Sequence, residues 1–202
     1  MALKKIAVFI SGGGSNLQCL IDSVHHKYGE IVLVLSSNPQ AYGLTRAKKH
    51  EIKTISVDTK DPSCDETILN ILKDNHIEFI VLAGYLKIIS QKLVQLYPGK
   101  IMNIHPSLIP SFCGSEHYGL KVHEKAIDYG VKVSGATVHF VDEGTDTGPI
   151  IMQKTVFVDE GETPESLQKK VLEIEHELLC CSVQKMCEGK LILKGRKVSV
   201  LL

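Results

Sequence analysis

Short apolar runs rich in β-branched residues alternate with amphipathic stretches from the amino terminus to about Gly130. The runs predict five strands, at Ile6–Ile10, Ile31–Leu35, Lys53–Val57, Phe79–Ala83 and Ile101–Ile104. The stretches between most of these strands have the spacing of helices. Because strands that alternate with helices form parallel sheets covered on both faces, we predict an open α/β sheet built from βα units, five of which are plausible here.

Polar residues and glycines mark the ends of two of these helices. Asp61 before Pro62 is typical of an N-cap followed by a first helical turn. Gly99 is expected to close the helical segment that begins near Ser90.

The pattern changes after Gly130. Two longer strand-like runs, Lys132–Phe140 and Ile150–Val158, flank the polar segment Asp142–Gly148. These runs predict a carboxy-terminal β extension of the same sheet.

A long helix is predicted to begin at Pro164, with Thr163 as its N-cap, and to end near Met186 before Gly189. Its apolar residues recur at helical spacing, at Leu167, Val171, Ile174 and Leu178. The tail Leu191–Leu202 alternates around a turn at Lys194–Lys197 and predicts a hairpin.

The chain has 202 residues, of which 44% are hydrophobic, and this is enough for one domain of ordinary size. No linker, repeat or low-complexity tract interrupts it, so we predict a single domain over residues 1–202. Its 23 basic and 23 acidic side chains cancel, and no dense block of basic residues occurs. We therefore expect no nucleic-acid partner and no membrane partner, and we favour a small molecule.

Neither a secretion signal nor a membrane-spanning run is visible in the sequence. The cysteines are scattered without a C-x-x-C pair, at Cys19, Cys64, Cys113, Cys180, Cys181 and Cys187. We expect reduced cysteines and a soluble, cytoplasmic protein.

The first candidate site is the loop Ser11–Asn16, which reads S-G-G-G-S-N after the first strand and opens a helix. Backbone amides at such a turn can hold an anion at the helix N-terminus. Leu17 occupies the place of the third fingerprint glycine, and no ribose-binding acid follows the second strand, so a single phosphate fits better than a dinucleotide. The alternative is a glycine-rich turn that binds no ligand.

The second candidate is Asn103–Pro110, which follows the fifth strand. Ligands of open α/β sheets bind outside the carboxyl ends of the strands, so this segment and the glycine loop can line one crevice. Asn103 and His105 alternate with Ile104 and can face the same substrate. An amide can donate to an oxyanion and an imidazole can act as an acid, although a histidine packed in a loop is the simpler interpretation.

The third candidate is the acidic segment Asp142–Gly148, which follows a strand with His139 near its end. It could be no more than a solvated turn. If it folds over the crevice, a carboxylate can hold the imidazolium of His105 and raise its pKa, and we select Asp146 for this role.

Two other chemistries are disfavoured. A cluster with potential metal ligands lacks any standard zinc spacing, and its members are Cys113, Glu116, His117 and His123. No G-x-S-x-G elbow surrounds the candidate serine nucleophiles, which are Ser11, Ser90 and Ser107.

Four segments carry a resemblance to a known family. They read S-G-G-G-S-N-L-Q at 11–18, L-A-G-Y-L-K-I-I-S at 82–90, N-I-H-P-S-L-I-P-S-F at 103–112 and V-S-G-A-T-V-H-F-V-D-E-G-T-D-T-G-P-I at 133–150. Over about residues 5–180, the chain resembles the phosphoribosylglycinamide formyltransferases of the formyltransferase family. The resemblance implies a Rossmann-like enzyme that transfers a formyl group from the cosubstrate 10-formyltetrahydrofolate to the amine of glycinamide ribonucleotide, without a metal.

The resemblance also implies roles for individual residues. Asn103, His105 and Asp146 would be catalytic, with Asn103 and protonated His105 stabilising a tetrahedral oxyanion and Asp146 keeping His105 charged, so that its pKa exceeds the usual value of about 6.5. Glu175 would bind the glycinamide end of the substrate. The substrate phosphate would be held by Gly14, Ser15 and Asn16. The folate would contact Leu86, Lys87, Ile88, Ile89, Asn103, Val141, Asp142 and Glu143.

The chain departs from the family pattern in places. Asp61 stands where many relatives carry a folate-contacting arginine, with Lys60 beside it. The loop Cys113–Gly119 is longer than the shortest versions, and Lys121 replaces a frequent histidine. The resemblance gives no assignment for the tail at about residues 181–202, and it leaves monomer and homodimer both open.

Other functions remain as alternatives. Methionyl-tRNA formyltransferases and formyltetrahydrofolate deformylases share the N-x-H and distal aspartate pattern, but each usually carries a further domain. A phosphate-binding sensor would keep the glycine loop and would have no use for the three catalytic residues together.

Overall fold

The computed structural model describes residues 2–201. Their helices and strands follow one another as β1 (Lys4–Ile10), α1 (Ser15–Ser23), β2 (Gly29–Ser36), α2 (Tyr42–Lys49), β3 (Lys53–Ser56), α3 (Cys64–Asp74), β4 (Phe79–Leu82), α4 (Gln91–Leu96), β5 (Ile101–His105), α5 (Leu120–Tyr129), β6 (Val133–Phe140), β7 (Ile150–Phe157), α6 (Pro164–Cys187), β8 (Leu191–Lys194) and β9 (Lys197–Val200). The predicted alternation of five strands and five helices is confirmed.

Seven of the strands form one sheet in the order β3-β2-β1-β4-β5-β6-β7. The pairs among β1 to β5 are parallel, whereas β6 and β7 join in antiparallel fashion. The predicted β extension of the same sheet is therefore confirmed. The chain order reverses between β1 and β4, and a crevice opens at such a point outside the carboxyl ends of the strands.

Apolar side chains cover the two faces of the sheet separately. On one face, Val8 and Ile10 belong to a core that includes residues of α1, α2, α5 and α6. On the other face, Ala7 and Phe9 pack with residues of α3 and α4. This alternation follows from the two-residue period of β1 and fixes the position of its carboxyl end in the molecule.

The long helix α6 begins as predicted, because the Thr163 side chain accepts a hydrogen bond from the Ser166 N–H at 3.2 Å. It ends at Cys187, close to the predicted Met186, and Gly189 follows with φ 69°. The strands β8 and β9 form the predicted hairpin. Leu202, the last residue of the predicted tail, lies outside the described residues.

The predicted N-cap at Asp61 is wrong. Helix α3 begins at Cys64, with Ser63 in the cap position. The Asp61 carboxylate instead accepts hydrogen bonds from the Ser63 N–H and hydroxyl, both at 2.8 Å, and so closes the turn before the helix. An aspartate–proline pair fits such a turn as well as it fits a helix start.

Candidate active site

Two adjoining cavities lie at the crevice. The larger, of about 760 Å³, is lined by residues that follow β4, β5 and β6 and by one face of α6. The smaller, of about 280 Å³, is formed by the glycine loop with parts of α2 and of the segment after β4. Ser15 and Gly84 line both cavities, so a ligand in one can extend into the other.

Asp146 lies at the centre of a polar cluster in the larger cavity. Its Oδ2 is 3.5 Å from His105 Nδ1, and its Oδ1 lies 3.4 Å from Asn103 Nδ2. The structure therefore brings together the three residues that the sequence selected as catalytic. The side chains of His105 and Asp146 are 6% and 12% exposed, so their electrostatic interaction is only weakly screened by water.

His105 is positioned by the loop that follows β5. The Thr137 hydroxyl donates to the Ser107 carbonyl at 2.6 Å and accepts from the Ile109 N–H at 3.1 Å, which ties this loop to β6. The loop then places the Phe112 carbonyl 2.9 Å from His105 Nε2. Since a carbonyl can only accept, Nε2 carries a proton, and Nδ1 is the atom that faces Asp146.

The loop between β6 and β7 brings Asp146 over the crevice. The Asp142 carboxylate shapes it by accepting hydrogen bonds from Gly144 N–H at 3.1 Å and from the Thr147 hydroxyl at 2.6 Å. Gly148 passes so close to the Phe140 carbonyl that a Cβ would collide with it. Asp146 Oδ2 then accepts from the Gly114 N–H at 2.9 Å, which fixes the carboxylate.

The electrostatics of the pair differ from the sequence prediction. Burial acts to raise the pKa of Asp146, but its contacts with His139, His105 and the Gly114 N–H outweigh burial and hold that pKa below its usual value. Burial of the imidazole lowers the pKa of His105 more than Asp146 and the Phe112 carbonyl raise it. The prediction that the His105 pKa lies above its usual value is therefore wrong.

His139 is a site residue that the sequence analysis did not select. Its Nδ1–H donates to the Phe140 carbonyl at 2.8 Å, which leaves Nε2 to accept from Asn103 Nδ2 at 3.1 Å. The same Nε2 is 3.7 Å from Asp146 Oδ1. His139 thus orients the Asn103 amide, which it faces in the β5–β6 register. Its place near the end of the predicted strand, just before the acidic segment Asp142–Gly148, is the sequence signal that could have revealed it.

A further histidine, His123 on α5, lines the larger cavity. His123 is 1% exposed, and its Nδ1 has no hydrogen-bond partner in the part of the chain that the structure describes. Burial and the nearby His105 lower its pKa to about 4, so it is neutral at neutral pH. The sequence pattern indicated no role for His123 other than that of a potential metal ligand. The described residues include no group of three or more histidine, cysteine or acidic side chains able to hold a metal ion.

The glycine loop presents its backbone to the smaller cavity. Gly14 precedes α1 with φ 73°, a left-handed conformation that glycine adopts without strain. The first hydrogen bond of the helix runs from Gln18 N–H to the Gly14 carbonyl at 2.9 Å. The N–H groups of Ser15 and Asn16 therefore have no acceptor within the helix, which is the arrangement expected of an anion site.

Asn16 links this loop to α6. Its Nδ2 donates to Glu175 Oε2 at 2.8 Å, and both residues are buried. Burial raises the pKa of Glu175 to about 7, although the hydrogen bond from Asn16 acts in the opposite direction. The Asn16 side chain is thus engaged with Glu175, and an anion in the loop meets the backbone of Asn16 rather than its amide nitrogen.

All eight residues predicted to contact the folate line the larger cavity: Leu86, Lys87, Ile88, Ile89, Asn103, Val141, Asp142 and Glu143. Leu86 and Ile88 are 60% and 80% exposed, and such exposed apolar side chains are suited to contact with a flat aromatic ligand. Lys60 and Asp61 are exposed and are not among the residues that line this cavity. Asp61 therefore does not line the cavity.

No helix among residues 2–201 combines the length and the apolar character needed to cross a membrane.

The formyl transferase family model matches residues 4–183. A phosphoribosylglycinamide formyltransferase of Bacillus subtilis is 39% identical over 180 residues, which are 86% of this chain and 90% of the relative. The crystal structure of a phosphoribosylglycinamide formyltransferase from Anaplasma phagocytophilum is 36% identical with a TM-score of 0.92, and the match covers 99% of this chain and 95% of that one.

A formyltetrahydrofolate deformylase from Pseudomonas syringae is a more distant match. It is 27% identical with a TM-score of 0.88, and this chain covers 66% of its length. The segment 4–183, which matches the family model, contains the glycine loop, the Asn103–His105 pair, the Asp146 loop and most of α6. From the family match and the identity to its members, we conclude that the chain belongs to the formyl transferase family.

Proposed function

We propose that this protein transfers the formyl group of 10-formyltetrahydrofolate to the amine of glycinamide ribonucleotide, a step of purine synthesis. The observation that carries the proposal is the cluster of Asn103, His105 and Asp146 in a cavity that adjoins an anion-binding loop. A cavity that can bind a folate does not by itself identify this reaction, because many enzymes bind folates. The two adjoining cavities fit a phosphorylated amine and a folate that meet at the cluster.

Each substrate has a place in the crevice. The phosphate of the ribonucleotide binds the backbone N–H groups of Gly14, Ser15 and Asn16, where the helix dipole favours negative charge. The glycinamide end reaches the larger cavity, where Glu175 is buried and can bind its nitrogen groups. The pterin and formyl groups of the folate lie between the segment 86–89 and the segment 141–146.

The reaction begins when the lone pair of the substrate amine attacks the formyl carbon. A carbon–nitrogen bond forms, and the carbonyl oxygen becomes an oxyanion in a tetrahedral intermediate. Collapse of the intermediate breaks the bond to the folate nitrogen, which receives one proton while the amine loses one. The products are formylglycinamide ribonucleotide and tetrahydrofolate.

The cluster stabilises the intermediate electrostatically. An imidazole whose Nε2–H is donated to Phe112 needs a second proton, on Nδ1, to make a favourable contact with the Asp146 carboxylate. The negative charge that develops on the intermediate raises the pKa of His105 and so favours binding of this proton to Nδ1. His105 and Asn103 then act together on the oxyanion, and Asp146 holds the imidazolium.

A spectrophotometric assay of folate deformylation tests the proposal. With 10-formyltetrahydrofolate as donor, the signal should depend on glycinamide ribonucleotide and should saturate with it. Deformylation at the same rate without an acceptor would instead indicate hydrolysis, the activity named for the Pseudomonas syringae relative. No deformylation under either condition would refute the proposal.

We place the reaction in the cytoplasm. The six cysteines are all free thiols, which suits a reducing compartment.

A further inference from the structure

Cys19 of α1 and Cys180 of α6 form a pair of thiols to which the proposed reaction gives no role. Their Sγ atoms are 2.8 Å apart, although 161 positions separate the two residues along the chain. Both residues are partly buried. Between residues 2 and 201, no other two cysteines are joined by a hydrogen bond, so the fold brings two sulfur atoms together at this point alone.

The packing of α1 against α6 holds the two sulfur atoms in contact. Leu20 and Leu179, the chain neighbours of the two cysteines, are buried in one apolar core. Cys19 Sγ also lies 3.5 Å from the His176 carbonyl, one turn before Cys180 on α6. Because an S–S bond is about 2 Å long, the sulfur atoms need to approach one another by less than about 1 Å to form it.

The hydrogen bond between the thiols makes them chemically unequal. The Cys180 S–H donates to Cys19 Sγ and lowers the pKa of the Cys19 thiol, and the Ser23 hydroxyl acts in the same direction against burial. The same hydrogen bond, together with burial, raises the pKa of Cys180. Since the thiolate is the nucleophile in thiol–disulfide exchange, Cys19 is the attacking sulfur and Cys180 is the second thiol.

The pair lies one helical turn from groups assigned to the ribonucleotide. Asn16 is three residues before Cys19 on α1, and its Nδ2 donates to Glu175 Oε2 on α6 at 2.8 Å. Residues three apart share a helix face, so Cys19 and Asn16 meet α6 together. A displacement of Cys19 toward Cys180 therefore moves Asn16 relative to Glu175. It also moves the backbone N–H groups at the start of α1 that face the smaller cavity.

We propose that Cys19 and Cys180 form a reversible disulfide that weakens binding of the phosphorylated substrate. The disulfide ties α1 to α6 and displaces the ribonucleotide groups that the two helices carry. The proposal rests on the function proposed above for the identity of that substrate, and it adds a site of oxidative modification that controls the affinity.

The oxidant is a low-molecular-weight disulfide. The Cys19 thiolate attacks one of its sulfur atoms, forms a mixed disulfide and expels one small thiolate. Cys180 then loses its proton and attacks Cys19 Sγ, which closes the protein disulfide and expels the second small thiolate. The two protein thiols are oxidised to one disulfide, and the small disulfide is reduced to two thiols. A small thiol in excess reverses both steps.

Mass spectrometry after incubation with glutathione disulfide tests the formation of the bond. The wild type should lose two hydrogen atoms, and its digest should contain a linked pair of peptides with Cys19 and Cys180. Cys19→Ser should form no such link, and Cys180→Ser should retain glutathione on Cys19, because the second thiol is missing. The matched control is Cys181→Ser, at a partly buried cysteine next to the pair, and it should form the wild-type link. An absent link, or one that requires Cys181, would overturn the proposal.

Steady-state kinetics before and after oxidation measures the effect on the site. In the oxidised wild type and oxidised Cys181→Ser, the KM for glycinamide ribonucleotide should rise at least about threefold, since a misplacement of about 1 Å can cost up to about a hundredfold. The KM for the folate should stay within about twofold, and dithiothreitol should restore both constants. Reduced Cys19→Ser should match the reduced wild type, and the oxidant should not change it. Unchanged constants in the fully linked wild type, or the same change in Cys19→Ser, would overturn the proposal.

A binding measurement keeps the test independent of formyl transfer. In calorimetric titration, ribose 5-phosphate should bind at least about threefold more weakly to the oxidised than to the reduced wild type, and equally to treated and untreated Cys19→Ser. That result in a protein without formyl transfer would support the disulfide and refute the proposed function. Normal formyl transfer with equal binding to both forms would refute the disulfide's effect alone. Absence of binding to either form would refute the anion-binding loop and this proposal with it. If Cys19→Ser or Cys180→Ser does not fold, Cys19→Ala and Cys180→Ala serve the same comparison.

Discussion

Replacement of Asp146 by Asn is the perturbation whose consequences the structure defines best. Asparagine keeps the size of the side chain and an oxygen that can accept from the Gly114 N–H, now 2.9 Å from Oδ2. The substitution removes the negative charge that lies 3.5 Å from His105 Nδ1. Any effect therefore reports on charge more than on the loop conformation.

The magnitude follows from that distance. Two unit charges 3.5 Å apart attract one another by about 5 kcal/mol at an effective dielectric constant of about 20. Residual water around the pair weakens this attraction, and in the variant the dipole of the asparagine amide replaces part of it. A loss of about 3 to 4 kcal/mol in transition-state stabilisation, or roughly a hundredfold to a thousandfold in kcat, is the expected result.

The same substitution should move the titration of His105. Burial already holds the pKa of His105 below its usual value, and Asp146 is the largest opposing influence. Without that carboxylate, the pKa should fall further. A carbon-13 or proton NMR titration of the imidazole measures this shift, and steady-state kinetics on the same samples measures kcat and both KM values.

Two results would refute the reasoning. One is a His105 pKa that stays the same in Asp146→Asn while kcat is undiminished, which would remove Asp146 from the mechanism. The other is a kcat loss matched by an equal rise in both KM values, which would indicate a collapsed loop. The control is Asp128→Asn on the exposed end of α5, which should leave the His105 titration and the kinetics unchanged.

Three further expectations follow from the same structure. Asn16→Ala should raise the KM for glycinamide ribonucleotide much more than the KM for the folate, as measured by steady-state kinetics, because it removes the side chain that holds Glu175; equal weakening of both would contradict the assignment of Asn16 and Glu175 to the ribonucleotide. Lys60→Ala should change the folate KM by less than about tenfold, or roughly 1.4 kcal/mol, because Lys60 does not line the larger cavity; a larger change would mean that Lys60 reaches the folate. Glu175 has its pKa raised from 4.5 to about 7 in the folded protein, so stability should fall as the pH rises across that interval and level off above it. Urea unfolding of Glu175→Gln should lack this part of the pH dependence, and an identical pH profile would refute the shift.

The fold could be predicted from the sequence because each element carries a local signal. The run Ile6–Ile10 is buried on both faces of the sheet, and its uninterrupted apolar character is the direct result. Thr163 and Pro164 mark the start of α6 through cap chemistry that involves only neighbouring residues. Signals of this kind need no knowledge of the tertiary structure.

The prediction of a helix cap at Asp61 was wrong because the same residues suit two local structures. Asp61 before Pro62 suits both a helix cap and a turn, and the structure adopts the turn that ends at Ser63. The Ser63 N–H and hydroxyl both donate to the Asp61 carboxylate, and the sequence alone does not distinguish this turn from a helix cap.

The site residues show the same limit. Asn103 and His105 could be selected because they alternate at the carboxyl end of β5, where ligands of such sheets bind. Asp146 follows β6, which is antiparallel to β5, so it was selected from the acidic segment and the family resemblance. The pKa of His105 could not be predicted from the sequence, since the direction of its shift depends on the balance between burial and the Asp146 charge. The hydrogen bond between Asn16 and Glu175 joins residues 159 positions apart, and no periodic pattern reveals such a pair.

The fate of the formyl carbon tests the central claim most directly. With carbon-13 in the formyl group of 10-formyltetrahydrofolate, NMR should show the label moving to the amine of glycinamide ribonucleotide, in an amount equal to the tetrahydrofolate formed. Formation of the labelled amide should be lost in parallel in His105→Ala and Asp146→Asn. Label that appears as formate, in equal amount with and without glycinamide ribonucleotide, would contradict the account.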